Sequence, residues 1–298
     1  MRFTLAVAAG LIFAGTAAVP ASADAPKGAY WRVETIFTRT HPHAVGSGYY
    51  LTERSVSTDW LSPEGKGWFG FRELGAKPAT AKDEAAWRAD GSPTTWAYRT
   101  EGMKIRLSVK PGKGTIGATK KPDGFHYLGE KWVTYQQLQS LPTDAEALRK
   151  RLLADINAWI DKAAEEAKTT SPKSKKEDWL VNLDQYVAKG ASELLYANPV
   201  PDKVRAAAYQ VLKTTKGVSD LGQAKDPLGR SGRKLALPVS STEGSVLKQQ
   251  LLVDTQAMTL LAEYTDLKYN GKDMLGTSGV QTFRAGWTDD KPVAPGMS

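Results

Sequence analysis

The stretch NPVPDKVRAAAYQVLKTTKGV, residues 198–218, decides the reading of the fold. Asn198-Pro199 stops whatever precedes it, and Pro201 stands where the first turn of a new helix accepts a proline. Val204, Ala208, Val211 and Leu212 recur at helical spacing, and Gly217 closes the helix. Three apolar segments follow: 218–224, 234–239 and 249–265, the last broken by a turn near Asp254. Turn-rich residues 226–232 and 240–244 separate them, so the region reads as one helix feeding short antiparallel strands.

Upstream of this unit two more helices are expected. Thr143 with Glu146 fits a capping box, and Leu148, Leu152, Ile156, Trp159 and Ile160 mark one face. Residues 161–177 are polar, include Ser171-Pro172, and read as an exposed connection. A second helix begins near Glu177, with Leu180, Leu183, Val187, Ala191, Leu194 and Leu195 as its stripe.

Before residue 141 the period is two. Trp31, Val33, Thr35 and Phe37 share one face of a strand over 30–40, and Tyr50, Thr52, Arg54, Val56, Thr58 and Trp60 continue the alternation. A turn at 62–67 returns the chain through 68–74. Residues 75–95 lose the pattern and read as a long excursion, either a surface insertion or a mobile lid, with one helical turn. Ile105, Leu107 and Val109, then 125–130 with 132–135, add short apolar pieces, and 280–287 reads as a last strand.

Strands, then about three helices over 143–215, then strands again predict an α+β fold: a curved antiparallel β-sheet, half-open and barrel-like, packed on those helices. Parallel winding requires alternating strands and helices, which this order lacks. Residues 24–290 form a single domain in this reading, and 291–298 form a disordered, frayed tail.

Residues 1–23 are set apart. Arg2, an apolar run over 5–19, and Ala21-Ser22-Ala23 fit a signal peptide cleaved after Ala23. A membrane anchor fits less well, because the run is rich in Ala and Gly and ends in a processing site. The expectation is a secreted protein of the extracellular or cell-envelope space. The chain has no cysteine, which excludes disulfides, thiol nucleophiles and thiolate metal sites. Its formal net charge of +8 is spread along the chain. That favours peripheral contact with an anionic envelope and offers no nucleic-acid-binding motif.

Several phrases resemble a family: the 141–148 helix start, Val204 to Leu212 with Gly217-Val218, and Leu251-Leu252-Val253-Asp254 with Leu260-Leu261. Together with the opening Tyr30-Trp31 they resemble an uncharacterised family of secreted or membrane-anchored actinobacterial proteins, some encoded beside sigma-factor regulators. Where that family's hairpin usually holds Asp-Pro-x-Thr-Gly, this chain has Asp254-Thr255-Gln256-Ala257-Met258, without the glycine. By layout alone the chain is also similar to the half-barrels of periplasmic lipoprotein carriers and envelope-stress sensors. That similarity implies an apolar cavity between sheet and helices.

No catalytic signature stands out. His41, His43 and His126 are weak metal candidates, with no acidic partner at a telling spacing. Glu53, Asp59, Glu73 and Glu101 offer carboxylates for a hydrolase, but no local spacing brings two of them together. Lys110 to Thr115 is a Gly-rich turn without phosphate-loop spacing. The aromatics are the more suggestive set. Trp31, Tyr50, Trp60, Trp68, Phe71, Tyr127 and Trp132 are the candidate ligand-binding residues, able to wall a site for an acyl chain, a peptide or a sugar. The leading expectation is a non-enzymatic envelope protein, without cofactor. It binds a lipid or other apolar or amphipathic ligand, or a partner envelope protein, in the concavity of the sheet. The alternatives are a secreted hydrolase using those carboxylates or histidines, and a structural wall-associated protein.

Overall fold

A computed structural model describes residues 26–119, 125–129, 131–170, 175–242, 244–274 and 278–296. The expected signal peptide lies outside the described residues. The chain runs through β1 (Tyr30–Thr40), β2 (Leu51–Leu61), β3 (Gly67–Pro78), α1 (Ala81–Ala89), β4 (Thr95–Thr100), β5 (Met103–Ser108) and β6 (Thr115–Ala118). It continues with β7 (Phe125–Leu128), β8 (Lys131–Thr134), α2 (Tyr135–Gln139), α3 (Ala145–Thr170), α4 (Lys176–Leu180), α5 (Leu183–Glu193) and α6 (Asp202–Thr214). The last part is β9 (Ser219–Lys225), β10 (Ser231–Ala236), β11 (Ser240–Thr242), β12 (Ser245–Asp254), β13 (Thr259–Tyr269), β14 (Lys272–Asp273) and β15 (Gly279–Thr288).

The fold is α+β, as the order of periodicities predicts. Among the described residues eleven strands join one curved antiparallel sheet that does not close into a barrel. Its order is β6-β3-β2-β1-β15-β13-β12-β10-β9, with β11 on β12 and β14 on β13. The first and last strands are therefore neighbours at its centre, with Trp31 opposite Trp287 and Thr35 opposite Phe283. That pairing joins the meander before the helices to the meander after them.

The helices form where apolar stripes and end signals coincide. On α6, Val204, Ala208, Val211 and Leu212 are buried, and Gly217 takes a positive φ of 82° just beyond it. On α3, Leu148, Leu152, Ile156 and Ile160 are buried. Its first-turn cap differs from the predicted Thr143 box: Asp144 Oδ1 accepts from the Ala147 N–H at 2.9 Å. The helix also runs ten residues past Ile160, to Thr170, through much of the segment read as a connection. Ala163, Ala164, Glu165, Glu166 and Ala167 are strong helix formers, and Lys162 pairs with Glu166 one turn on. The second expected helix is two, α4 and α5.

One core lies between α3, α5 and α6 and the strands β10, β12, β13 and β15, with Leu235, Leu251, Val253, Leu260 and Phe283 as its sheet side. Fully burying a large apolar side chain contributes about 1.5–3 kcal/mol. A second, small core of Val45, Tyr49, Leu51, Ala76 and Trp96 sits at the far end of β2 and β3. It is covered by the stretch expected to be a loose excursion. There the Thr80 hydroxyl accepts from the Asp83 N–H and starts α1, and Asp83 Oδ1 accepts from the Tyr50 N–H at 2.9 Å. Trp87 of α1 and Tyr98 of β4 pack against this core. The glycine missing from the β12–β13 turn has a counterpart in backbone geometry: Met258 itself adopts φ 50°. Ala257 and Gln256 donate their N–H groups to Asp254 Oδ1. No helix among the described residues is long and apolar enough to cross a membrane.

A candidate binding trough on the inner face of the sheet

Helices cover only part of the inner face. No residue of β1, β2 or β3 belongs to the main core. On those strands the inward-facing set is fixed by register: Val33 opposite Asp59, Thr35 opposite Ser57, Asp59 opposite Phe69 and Ser57 opposite Phe71. Phe37, Phe69 and Phe71 keep 39%, 45% and 38% of their surface exposed. Large side chains left that open on a sheet face form a trough rather than a filled core.

The wall of the trough comes from the end of α5 and the linker before α6. Glu193, Tyr196, Ala197 and Asn198 face the strand residues across a cavity of about 320 Å3, whose floor includes Val33, Thr35, Ser57, Asp59 and Phe283. Three hydrogen bonds hold that wall. Trp31 Nε1 donates to the Tyr196 carbonyl at 2.9 Å, Asn198 Nδ2 donates to the Tyr127 carbonyl at 3.1 Å, and the Gly129 N–H donates to Glu193 Oε2 at 3.0 Å. The last two also seat the β7–β8 hairpin at the rim. The Tyr196 ring lies 4.2 Å from that of Phe283. Asn198-Pro199, read in the sequence as a helix stop, thus also builds the wall.

The trough is lined by acidic groups, Asp59 and Glu193, although the chain is cationic, and burial favours the neutral form of two groups beside them. Burial raises the Tyr196 phenol well above its ordinary range, and the charges of Glu263, Glu193 and Asp59 push it the same way. Burial also raises the Glu263 carboxyl; hydrogen bonds from Gln249 and Thr265, and the charge of Lys189, oppose the shift without cancelling it. Gln249 Nε2 donates to Glu263 Oε1 at 2.5 Å. A mixed floor with a carboxyl at Asp59, another at Glu193 on the wall, and phenylalanines leading in suits an amphipathic guest whose polar end donates hydrogen bonds or carries positive charge.

The candidate aromatics divide between several places. Trp31 and Tyr127 border the cavity, and Phe71 lies on the same face further out. Trp60 also borders it, but its ring stacks on the outer face, edge-on to Tyr30 at 6.2 Å and beneath the Arg32 guanidinium at 5.1 Å. Trp68 is its cross-strand neighbour, 5.5 Å from Tyr30. Trp132 packs against Tyr127 at 5.0 Å on the hairpin. Tyr50 stands apart beside α1. Sequence reading did not single out Glu193, Tyr196 or Phe283, which belong to segments read only as helix stripe and strand. In the sequence Asp59 reads only as a candidate carboxylate; its phase with Ser57 and Leu61 on β2 places it on the inner face once the pairing with Val33 is known.

The three histidines do not converge. His41 is buried with both ring nitrogens engaged: Nε2 is 2.7 Å from Glu53 Oε2, and Nδ1 is 2.9 Å from the Tyr98 hydroxyl. Arg39 pairs with the same Glu53. Burial works to raise the Glu53 carboxyl, but the hydrogen bond from His41 and the charge of Arg39 outweigh it and hold it below the usual range. His43 bonds Glu101 at 3.0 Å on the surface. His126 lies on β7, 6.2 Å from the Tyr135 ring. Among the described residues no group of three or more such side chains is placed to hold a metal ion. Glu53 is committed to this network, Asp59 lies in the trough and Glu101 pairs with His43, so these three candidate carboxylates occupy separate places. Comparison with family models, curated proteins and solved structures finds no match to the chain.

Proposed function

We propose that this is an exported, non-enzymatic envelope protein that holds an amphipathic molecule in the open half of its sheet. One observation carries the reading: the inner face of β1–β3 contributes nothing to the main helical core, and exposed Phe37, Phe69 and Phe71 lead to a cavity of about 320 Å3. That volume lies at the small end of the ~300–1,000 Å3 range of small-molecule sites. The apolar tail of the guest lies along the phenylalanines, and its head meets Asp59, Glu193 and the Tyr196 hydroxyl. The +8 chain charge supports residence near anionic envelope polymers and plays no part in the trough itself.

The test is displacement of the uncharged dye N-phenyl-1-naphthylamine by straight-chain amphiphiles, with wild type and Ser57→Trp. Ser57 is buried on the cavity floor, and an indole there fills the space. The expected result is saturable dye binding, displacement by alkylamines ahead of alkanoates of equal length, and at least about a tenfold loss in Ser57→Trp. Equal binding by both proteins, or no saturable binding to wild type, rejects the trough as a ligand site.

A further inference from the structure

The outer face of the same strands carries a second groove, already occupied by part of the chain. Residues 291–296, expected as a frayed tail, lie across it without regular secondary structure, and Pro295 is buried. The seat exists because Gly70 has no side chain: a Cβ there would stand 2.8 Å from Pro295 Cδ and 2.6 Å from Thr58 Oγ1. Gly114 allows the same approach from β6's side, where a Cβ would meet the Pro295 carbonyl at 3.1 Å. Between the segment and Arg32, Thr58 and Trp60 remains a cavity of about 370 Å3.

The fit is one of shape only. Among the described residues no hydrogen bond involves 291–296. Beneath the segment, Thr58 and Trp60 are 1% and 2% exposed, yet Thr58 Oγ1, Trp60 Nε1 and the neighbouring Arg32 Nε have no hydrogen-bond partner. Buried polar groups are normally paired, so three in one groove call for an acceptor they do not meet. The occupant reads Pro292-Val293-Ala294-Pro295. Prolines fix φ, and each disfavours the helical region for the residue before it, so such a segment is extended and presents its carbonyls outward. An aromatic groove with an indole N–H donor and a proline notch is the arrangement that recognises Pro-x-x-Pro peptides.

We infer that the outer face of β1–β3 is a receptor groove for extended Pro-x-x-Pro segments, which residues 292–295 fill in cis. The resident segment leaves Trp60 Nε1, Thr58 Oγ1 and Arg32 Nε unpaired, while Arg32 Nη2 pairs with Glu34. A segment whose carbonyl reaches Trp60 Nε1 competes for the groove and displaces it. This inference is independent of the trough, which lies on the opposite face.

A fluorescein-labelled peptide of residues 289–296, titrated by anisotropy into the full chain, tests the inference. In Pro295→Asp the resident segment is released, and the peptide is expected to bind at least about tenfold tighter than to wild type, where the cis segment competes at high effective concentration. Adding Gly70→Val, which fills the notch, is expected to abolish binding. Adding Trp60→Leu, which removes the ring that lines the groove, is expected to weaken it about fivefold. Circular dichroism confirms that each variant is folded, and the Trp60→Leu arm stands if Gly70→Val is not. Absence of saturable binding to folded Pro295→Asp overturns the inference. So does binding equal to wild type, or binding indifferent to both groove substitutions.

Discussion

Replacing Asp226 with asparagine should destabilise the protein by about 3 kcal/mol at neutral pH. The carboxylate is wholly buried in the turn between β9 and β10. Oδ1 accepts from the N–H groups of Leu228 and Arg230, both at 2.9 Å, and Oδ2 accepts from Arg230 Nε at 2.7 Å. Arg230 then reaches across the sheet, donating Nη1 to the Phe283 carbonyl and Nη2 to the Leu261 carbonyl, each at 2.8 Å. The clamp therefore ties the edge hairpin to β13 and to the strand carrying the trough's Phe283. Asparagine retains an acceptor for the two backbone N–H groups. It turns an amide N–H₂ toward the guanidinium and removes the negative charge. A hydrogen bond to a charged group is worth about 1.5–3 kcal/mol, and breaking one side of a buried pair costs about 3–5 kcal/mol. Arg230 keeps 29% of its side-chain surface in water, which places the loss at the lower end of the second range. Urea unfolding at pH 7, followed by tryptophan fluorescence, reads the difference. The double variant Asp226→Asn/Arg230→Met should lose less than the sum of the two single variants, because each single change leaves the other group stranded. A loss under about 1 kcal/mol for Asp226→Asn, with additive single effects, would refute the clamp as a structural element.

Two carboxylates should show pH effects of opposite sign. The Glu53 carboxyl is held low, so its stabilisation is present above the ordinary carboxylate range and is lost as pH falls through the depressed value. Glu53→Gln should cost about 1–2 kcal/mol at pH 7, with a gap to wild type that closes as pH falls below the ordinary carboxylate range; thermal melts showing a pH-independent gap would contradict the His41–Glu53–Arg39 network. The Glu263 carboxyl is held high by burial, so folding favours its protonated form and that stability is lost as pH rises through the raised value. Glu263→Gln should therefore raise the melting temperature at pH 7 and leave it unchanged below the ordinary carboxylate range; destabilisation at pH 7 would show that the carboxylate is stabilised in place.

Local pattern determined a good part of this molecule. The stripes of α3 and α6, the alternation along β1 and β2, and the turns at 226–232 and near Asp254 are written in neighbouring residues, and the structure keeps them. The order of those periods was enough to give α+β. The misreadings also have local causes. The extension of α3 to Thr170 has no apolar stripe to announce it, only propensity and ion pairs. The nine-residue α1 gains its order from a small core assembled from four separate segments, so 75–95 read alone looks loose.

What tertiary structure alone decided is which faces stay open. Strand β1 pairs with β15, and the Glu34–Arg284 ion pair within that seam spans 250 residues; no periodicity can report such a neighbour. Once the seam forms, three main helices are too few to cover the whole sheet. The inner face of β1–β3 is left as a trough, and the outer face takes up Pro295. A strand's alternation says which residues share a face; only the packing of distant elements says whether anything covers it.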